Sequence, residues 1–190
     1  MSLLFSKTRD QALLAFVIKE ASERAQSSGT FVGRTALQKM LYFLNIQGVK
    51  MAYRFSIYYY GPFSENILRD VDWLMADGVL EDKSSDPNRY SNYSPGPAID
   101  ELISMHEESI ESDRQTIQTV VSALIKLKPD QLELMATLDY IYRQQHASGA
   151  AGPFKERVIS RFREVKREKF PQSEIETVYH MMVRAGLVKA

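Results

Sequence analysis

The chain has 190 residues, 44% of them hydrophobic and 11% aromatic, enough for a folded core of one domain or of a domain with an appendage. Lysine plus arginine and aspartate plus glutamate both number 24, so strong nonspecific nucleic-acid binding by the whole molecule is not expected. Cysteine is absent, which excludes disulfides, thiolate nucleophiles and thiolate zinc sites. The first residues lack the apolar length of a signal peptide, and no apolar run approaches a membrane span. We therefore expect a bacterial or archaeal cytoplasmic protein.

Two helices open the predicted fold. Residues Thr8 to Ala25 carry apolar side chains at helical spacing, and Ser27-Ser28-Gly29 ends that segment. Thr35 is predicted to cap a second helix, because its hydroxyl can accept hydrogen bonds from the free amides of the first turn. The broad apolar stripe of this second helix stops at Gly48, a residue suited to left-handed backbone.

From Tyr53 to Tyr60 the apolar period changes to two, which predicts a strand that Gly61-Pro62 breaks. One face of this strand is predicted to carry Tyr53, Phe55, Ile57 and Tyr59, and the other Arg54, Ser56, Tyr58 and Tyr60. Ser64 is predicted to cap the helix that follows.

A polar wing is predicted after that helix. Gly78 stops the helix, and Val79-Leu80 begins a short strand. The chain then turns at Asp86-Pro87-Asn88 and returns as a strand over Tyr90 to Tyr93. Pro95-Gly96-Pro97 closes the unit, and we place a domain boundary there.

The second half is predicted to be almost purely helical. One long helix is expected over Ile99 to Leu127, and Pro129 starts the next one. Ser148 to Gly152 forms a break before a helix whose apolar stripe runs from Phe154 to Val165. The last helix is predicted to open with a capping box of Ser173 and Glu176.

This order of elements predicts a mainly α (α+β) fold. Residues 1–97 are expected to form a winged-helix-like module with a small antiparallel sheet, and residues 98–190 a helical C-terminal part packed on it. Residues 64–80 echo residues 173–188, since each segment has a serine cap, a helix, a glycine stop and two apolar residues. A duplication explains the echo, but short capped helices commonly share this pattern.

No catalytic, metal or cofactor site is predicted. Residues 29–35 fall short of a phosphate-binding loop, because only three residues separate the glycines and arginine replaces lysine. His106, His146 and His180 are far apart, and none pairs with another at helical spacing. The chain has no Gly-x-Ser-x-Gly elbow. Carboxylates are plentiful, but none is marked out as an acid/base pair.

An aromatic face is the first candidate for binding a partner. Arg54, Tyr58 and Tyr60 on the outward face of the strand, with Tyr90 and Tyr93 of the wing, could form an interface, since interfaces favour tyrosine and arginine. Alternatively, the C-terminal helices pack over this face. The sequence leaves both open.

A basic helix is the second candidate. Seven cations outnumber three glutamates over residues 155–169 and lie off the predicted apolar stripe. The six proposed as a patch are Lys155, Arg157, Arg161, Arg163, Lys166 and Arg167. Such a face is either simply solvated or a patch for nucleic acid or an acidic partner.

Residues 33–43 (GRTALQKMLYF) and 53–64 (YRFSIYYYGPFS) resemble the uncharacterised YwgA-like bacterial proteins and, more distantly, the Panacea (SocA-like) antitoxin domain. Both groups share a Leu-Gln-Lys helix, a strand ending in Tyr-Gly-Pro and a helix after it. Residues 170–175 also fit the YwgA-like pattern, whereas the antitoxin likeness ends at Pro97. The antitoxin resemblance implies a mostly helical protein that neutralises a toxin by direct contact, sometimes with regulatory roles. Neither group brings catalytic residues.

We therefore expect noncatalytic recognition of another protein, in a regulatory, antitoxin-like or defence role. The alternative is a DNA-binding transcriptional regulator, with the Ser64 to Asp77 helix in the major groove and Lys83 and Arg89 on phosphates. Four acids against Arg69 disfavour that helix as a groove reader. A third possibility is an unfamiliar enzyme, which would need a polar pocket with perturbed titrating groups.

Overall fold

The computed structural model describes residues 3–86, 89–149 and 154–188, and the fold is mainly helical with two small antiparallel sheets. The helices of these residues are α1 (Arg9–Ser28), α2 (Arg34–Ile46), α3 (Glu65–Ala76), α4 (Ile99–Ser104), α5 (Glu107–Glu111), α6 (Arg114–Leu124), α7 (Pro129–Ser148), α8 (Phe154–Lys166) and α9 (Gln172–Arg184). The strands are β1 (Ser56–Tyr58), β2 (Gly61–Phe63), β3 (Leu80–Asp82) and β4 (Tyr93–Pro95). The coarse fold class predicted from the sequence is confirmed. The predicted turn at 86–88 and break at 148–152 lie partly outside the described residues.

Helix α1 lies at the centre of the fold. It begins with a capping box between Thr8 and Gln11, and it ends at Gly29 in the left-handed conformation with φ of 65°. Nearly all side chains from Gln11 to Ser22 are buried, because α1 contacts α2, α4, α6 and β4. The predicted helix is confirmed, although it is buried around most of its circumference and not only along one stripe.

Three predicted helix caps are wrong in detail. Helix α2 is capped by Gly33, so Thr35 lies inside its first turn. Helix α9 is capped by Pro171 and has no side-chain capping bond, so the predicted box at Ser173 does not form. Ser64 does precede α3, but its side chain makes no capping bond. Helix ends commonly differ by one or two residues from those expected, so a serine or threonine near a helix start need not be its cap.

The β1–β2 hairpin, residues 56–63, differs from the single strand predicted over residues 53–60. Gly61-Pro62 does not break the strand; it begins the returning one, with Tyr58 opposite Gly61. Gly61 has φ of 88°, which lets the chain reverse after two residues. The predicted alternation of burial holds from Tyr53 to Tyr58 and fails at Tyr59, which is 77% exposed.

The second sheet forms close to the predicted wing. Strand β3 follows Gly78 as predicted, but β4 begins at Tyr93, so the returning strand predicted over Tyr90 to Tyr93 is wrong. The Asp82 carboxylate accepts hydrogen bonds from the N–H groups of Ser84 and Asn92, at 2.9 Å each. These bonds tie together the two ends of the connection after β3, and β3 and β4 pair from Asp82 and Tyr93 onward.

The long helix predicted from Ile99 to Leu127 is three shorter helices, α4, α5 and α6. Serine hydroxyls donate to backbone carbonyls three residues earlier in both breaks, from Ser104 to Glu101 at 2.9 Å and from Ser112 to Ser109 at 3.0 Å. Such bonds compete with the helical ladder. The breaks let all three pieces pack against α1.

Helices α3 and α9 end in the same way. Gly78 and Gly186 are both left-handed, and the next N–H reaches back to the same position, Val79 to Leu74 at 2.8 Å and Leu187 to Met182 at 3.0 Å. The shared pattern of helix ends is confirmed, while a duplication stays a prediction.

The described hydrophobic core is continuous across the proposed boundary near residue 97. Helix α2, from the first half, packs against α6 and α7 from the second. The division into two domains stays a prediction. Within residues 3–86, 89–149 and 154–188, no helix has the length and apolarity needed to span a membrane.

Candidate functional site

A cleft of about 1260 Å³ lies beside the β1–β2 hairpin. Its walls come from the start of α2, the hairpin, the start of α3, the loop after β3 and the α6–α7 connection. Arg54, Tyr58 and Tyr60, which the sequence predicted on one outward face, all line it, together with Tyr90. We call this feature the hairpin cleft.

The tyrosines of the hairpin are exposed. Tyr58 is 57% and Tyr60 61% accessible, and Arg54 is exposed as well. The alternative in which C-terminal helices cover this face is therefore wrong for these side chains. Across the cleft, Phe31 and Tyr90 are also exposed and lie with their ring centroids 6.2 Å apart.

Tyr93 does not belong to this surface, which corrects the prediction. It is 4% exposed and lies on β4 opposite Asp82. Its N–H donates to the carbonyl of Val32 at 2.9 Å, and its own carbonyl accepts from the Ser22 hydroxyl at 3.2 Å. The strand begins three residues later than the sequence suggested, so Tyr93 is an inward strand residue and Tyr90 a loop residue.

Two side chains of α2 hold the hairpin and the start of α3 from below. The Gln38 amide donates to the Ser64 carbonyl and accepts from the Ser64 N–H, both at 2.9 Å. The Lys39 ammonium donates to the Pro62 carbonyl at 2.8 Å. Both side chains are almost fully buried although they border the cleft. Gln38 thus fixes the backbone of the residue that precedes α3, whereas the Ser64 hydroxyl was predicted to accept from N–H groups inside the first turn.

A lysine cluster lies beneath the hairpin, made of the buried Lys39, Glu133 and Lys166 and the exposed Lys169. Glu133 on α7 lies 2.9 Å from the Lys166 ammonium and 2.8 Å from that of Lys169. Lys166 also donates to the carbonyl of Tyr59 in the hairpin turn, at 2.5 Å. The side chains of Glu133 and Lys166 are 2% and 3% exposed. Buried charges of this kind must be paired, and here they pair with each other and with hairpin carbonyls.

The pKa values of the three lysines in this cluster are shifted from the ordinary value. Burial and, to a smaller extent, the neighbouring Lys166 charge lower the pKa of Lys39 to about 7, against the opposing effect of Glu133. Burial also lowers the pKa of Lys166, although Glu133 partly offsets the effect. Burial acts to lower the pKa of Lys169 too, but the hydrogen bonds and charges of Glu133 and Asp130 together outweigh it, and the pKa is raised.

The basic helix α8 is less available than predicted. Lys166 was expected to face solvent, and this is wrong, because it follows Val158 and Phe162 at four-residue spacing on the buried stripe. Lys155 lies 3.1 Å from the His180 imidazole, and Arg161 pairs with Glu164 at 2.7 Å. The proposed patch therefore loses one cation to the core, and others are engaged within the protein.

The remaining members of that patch are Arg157, near the start of α8, and Arg163 and Arg167, near its end. The Arg157 guanidinium lies over the ring of Phe154, 5.2 Å from its centroid. Arg163 and Arg167 are exposed and border a cavity of about 460 Å³ that also contains the carboxylate residue Glu168. This cavity mixes charges and is smaller than the hairpin cleft.

The exposed face of α3 bears on the DNA alternative. Asp70 and Asp77, counted among the acids of this helix, are buried: Asp70 accepts from the Tyr53 hydroxyl at 2.8 Å, and Asp77 accepts three backbone N–H groups of residues 4–6. Glu65 and Asp72 remain exposed against Arg69. The face is less acidic than the sequence implied, but acids still outnumber cations.

Sequence reasoning missed several residues of this site. Gln38 and Lys39 appeared only within the motif of the family resemblance, and Glu133, Lys126 and Lys128 were not singled out. One local signal was present, since Gln38 and Lys39 interrupt an apolar stretch of α2, as Glu133 does in α7. Polar residues inside such stretches indicate buried polar contacts.

No protein-family model matches the chain, and no curated protein matches it. The resemblance to YwgA-like proteins and to the Panacea domain therefore stays a prediction. In the described part of the chain, no group of three or more histidine, aspartate or glutamate side chains is placed to hold a metal ion.

Proposed function

We propose that this protein recognises another protein without catalysis, through the hairpin cleft, in a regulatory, antitoxin-like or defence role. The observation that carries the proposal is the exposure of Arg54, Tyr58 and Tyr60 together at the rim of one large cleft. Tyrosine and arginine are enriched at the centres of protein interfaces, where a few such side chains supply most of the binding energy.

The anchoring of the hairpin supports the same proposal. Lys39 donates to the carbonyl of Pro62 in β2, and Lys166 donates to the carbonyl of Tyr59 in the turn. The backbone that carries the exposed rings is therefore held in place. A surface that is already ordered loses less conformational entropy when a partner binds. A hairpin held in this way is better suited to binding a partner than a flexible, solvated loop would be.

We also propose the finer features expected from the sequence. Helices α1 to α3 with the β3–β4 hairpin would form the winged-helix-like module, and the protein would act in the cytoplasm. The alternative, a DNA-binding regulator that reads through α3, gains little support, because the exposed face of α3 carries Glu65 and Asp72 beside Arg69.

The test is affinity capture from the native cell, followed by binding of the purified partner. The variant Arg54→Ala/Tyr58→Ala/Tyr60→Ala is compared with a matched control, Arg69→Ala/Trp73→Ala. The control removes an exposed arginine and aromatic ring, 5.4 Å apart, from α3. We expect the wild type and the control to recover the same protein and the triple variant to lose it.

Two results would count against the proposal. If the triple variant retains its partner with unchanged affinity, the hairpin cleft is not the docking surface. If the recovered material is DNA and only the Arg69→Ala/Trp73→Ala variant loses it, the transcriptional-regulator alternative replaces protein recognition. Unfolding curves of each variant establish that the comparison is made between folded proteins.

A further inference from the structure

The charge of the hairpin cleft differs from that of the whole chain. The chain has equal numbers of cations and acids. Among the described residues that line the cleft, the only acidic one is Glu65. The cationic ones are Arg34, Lys39, Arg54, Arg89, Lys126 and Lys128. Charges of one sign in a concave site add their potentials, so the cleft favours a negatively charged occupant.

Most of these cations can reach an occupant. Lys39 is buried and bonded to the hairpin, and Arg34 donates to the Ser91 hydroxyl at 2.8 Å. Exposed side chains on three separate elements complete the set: Arg54 before β1, Arg89 in the loop after β3, and Lys126 and Lys128 in the α6–α7 connection. The positive charge therefore surrounds the cleft and is not confined to one wall.

The edge of strand β1 favours a peptide over a nucleic acid as the occupant of the cleft. In the described part of the chain, β1 pairs only with β2, so its other edge has no strand neighbour. Ser56 and Tyr58 of this strand line the cleft. An extended peptide can add to such an edge through main-chain hydrogen bonds, whereas a nucleic acid has no amide backbone for that ladder.

We infer that the hairpin cleft binds an extended, acidic segment of its partner protein. The acidic side chains would meet Arg54, Arg89, Lys126 and Lys128, and the apolar side chains would contact the rings of Tyr58 and Tyr60. Alternation suits this arrangement, because successive side chains of an extended peptide point to opposite sides. This inference rests on the proposed function and specifies the chemistry of the partner.

The test uses fluorescence anisotropy with the full chain and three labelled probes. The probes are a short peptide alternating glutamate and leucine, the same peptide with lysine in place of glutamate, and a short single strand of thymidine nucleotides. We expect the glutamate peptide to bind more tightly than either of the others by at least about tenfold. Its affinity should fall as salt is added, since exposed charges are screened.

Matched charge reversals locate the site. The variant Lys126→Glu/Lys128→Glu should bind the glutamate peptide with an affinity lower by at least about tenfold, because attraction becomes repulsion at one wall of the cleft. Arg161→Glu/Arg163→Glu on α8 changes the net charge equally and should alter affinity by less than about twofold. The second pair is exposed and does not line the cleft.

The inference is overturned if the thymidine strand binds best, if both peptides bind equally, or if the α8 reversal weakens binding as much as the cleft reversal. Its failure is separable from that of the proposed function. Suppose that binding of a natural partner requires Arg54, Tyr58 and Tyr60 but is unchanged when Lys126 and Lys128 are reversed. The proposed protein recognition would then stand, and the inference of an acidic segment would be refuted.

Discussion

The two sides of the β1–β2 hairpin hold positive charge in different ways. Beneath it, Lys39 and Lys166 are buried and donate to the carbonyls of Pro62 and Tyr59. Above it, Arg54, with Lys126 of the facing connection, borders an open cleft. The buried lysines fix the hairpin, whereas the exposed cations line the cleft proposed to bind a partner. Burial thus separates a structural role from a proposed binding role among the lysines and arginines of this region.

Helix α8 extends the comparison. Its cations are adjacent in sequence, yet Lys166 is buried and Arg161 is paired with Glu164. The cations of the hairpin cleft are scattered between residues 34 and 128 and are brought together by the fold. A run of charge along one helix is therefore a weaker indication of a binding surface than convergence of charges from several elements.

The largest expected effect is on the buried side. Glu133→Ala leaves Lys166 buried without its carboxylate, and we expect a loss of about 3–5 kcal/mol in the free energy of unfolding, measured in urea. Lys126→Ala, on the exposed side, should change it by less than about 0.5 kcal/mol. The double variant Glu133→Leu/Lys166→Met should recover most of the loss, because it removes both buried charges. Equal small effects of Glu133→Ala and Lys126→Ala would contradict the distinction between the two sides.

The second-largest expected effect is the loss of stability when Gly61, at the end of the hairpin turn, is replaced. A Cβ at Gly61 would lie 2.5 Å from the Thr137 hydroxyl oxygen, and φ there is 88°. We expect Gly61→Ala to cost about 3 kcal/mol, since backbone strain and overpacking add. Gly149→Ala is the control, because Gly149 has φ of 62° with open space around it, and backbone strain alone should cost about 1–2 kcal/mol. Similar losses for both variants, in thermal or urea unfolding, would show that the contact with Thr137 is unimportant.

The smallest effect is on the pH dependence of stability. The pKa of Lys39 is lowered to about 7 in the folded protein, so between pH 7 and the ordinary range of lysine the unfolded chain binds more protons. The free energy of unfolding should therefore rise with pH, by about 2 kcal/mol between pH 7 and 9. The lowered pKa of Lys166 acts in the same direction. Above about pH 10 the trend should reverse, because burial raises the pKa of Tyr42 and Tyr53 and only the unfolded chain ionises there.

Lys39→Met provides the check on this prediction. It should remove most of the rise between pH 7 and 9, whereas Lys126→Met, which removes an exposed lysine of the same cleft, should leave the rise in place. Urea unfolding at a series of pH values measures both. A slope that survives Lys39→Met would assign the effect to another group.

Much of the secondary structure follows from local signals. The end of α1 at Gly29, the start of α7 at Pro129 and the stop of α3 at Gly78 are all predicted from single residues, because those residues restrict their own backbone. Breaks in the segment from Ile99 to Leu127 are not predicted, since its apolar residues keep helical spacing while serine side chains and packing on α1 interrupt the ladder.

The candidate site is only partly predictable. Arg54 and Tyr58 follow from the predicted alternation, Tyr60 is exposed because it lies in the turn, and the structure places all three at the cleft. The prediction for Tyr93 is wrong because the start of β4 depends on hydrogen bonds to Asp82. The prediction for Lys166 is also wrong, although its four-residue spacing from Phe162 is visible in the sequence. A lysine on an apolar stripe is normally assumed to reach solvent.

The sequence by itself determined where most helices begin or end and the alternation of burial from Tyr53 to Tyr58, because these properties depend on residues a few positions apart. Only the tertiary structure decided which charges are buried and which face the cleft. The partners of Lys39 are Pro62, Lys166 and Glu133, which are distant along the chain. Burial and charge pairing depend on three-dimensional neighbours, so the roles of these lysines emerge only when the chain is folded.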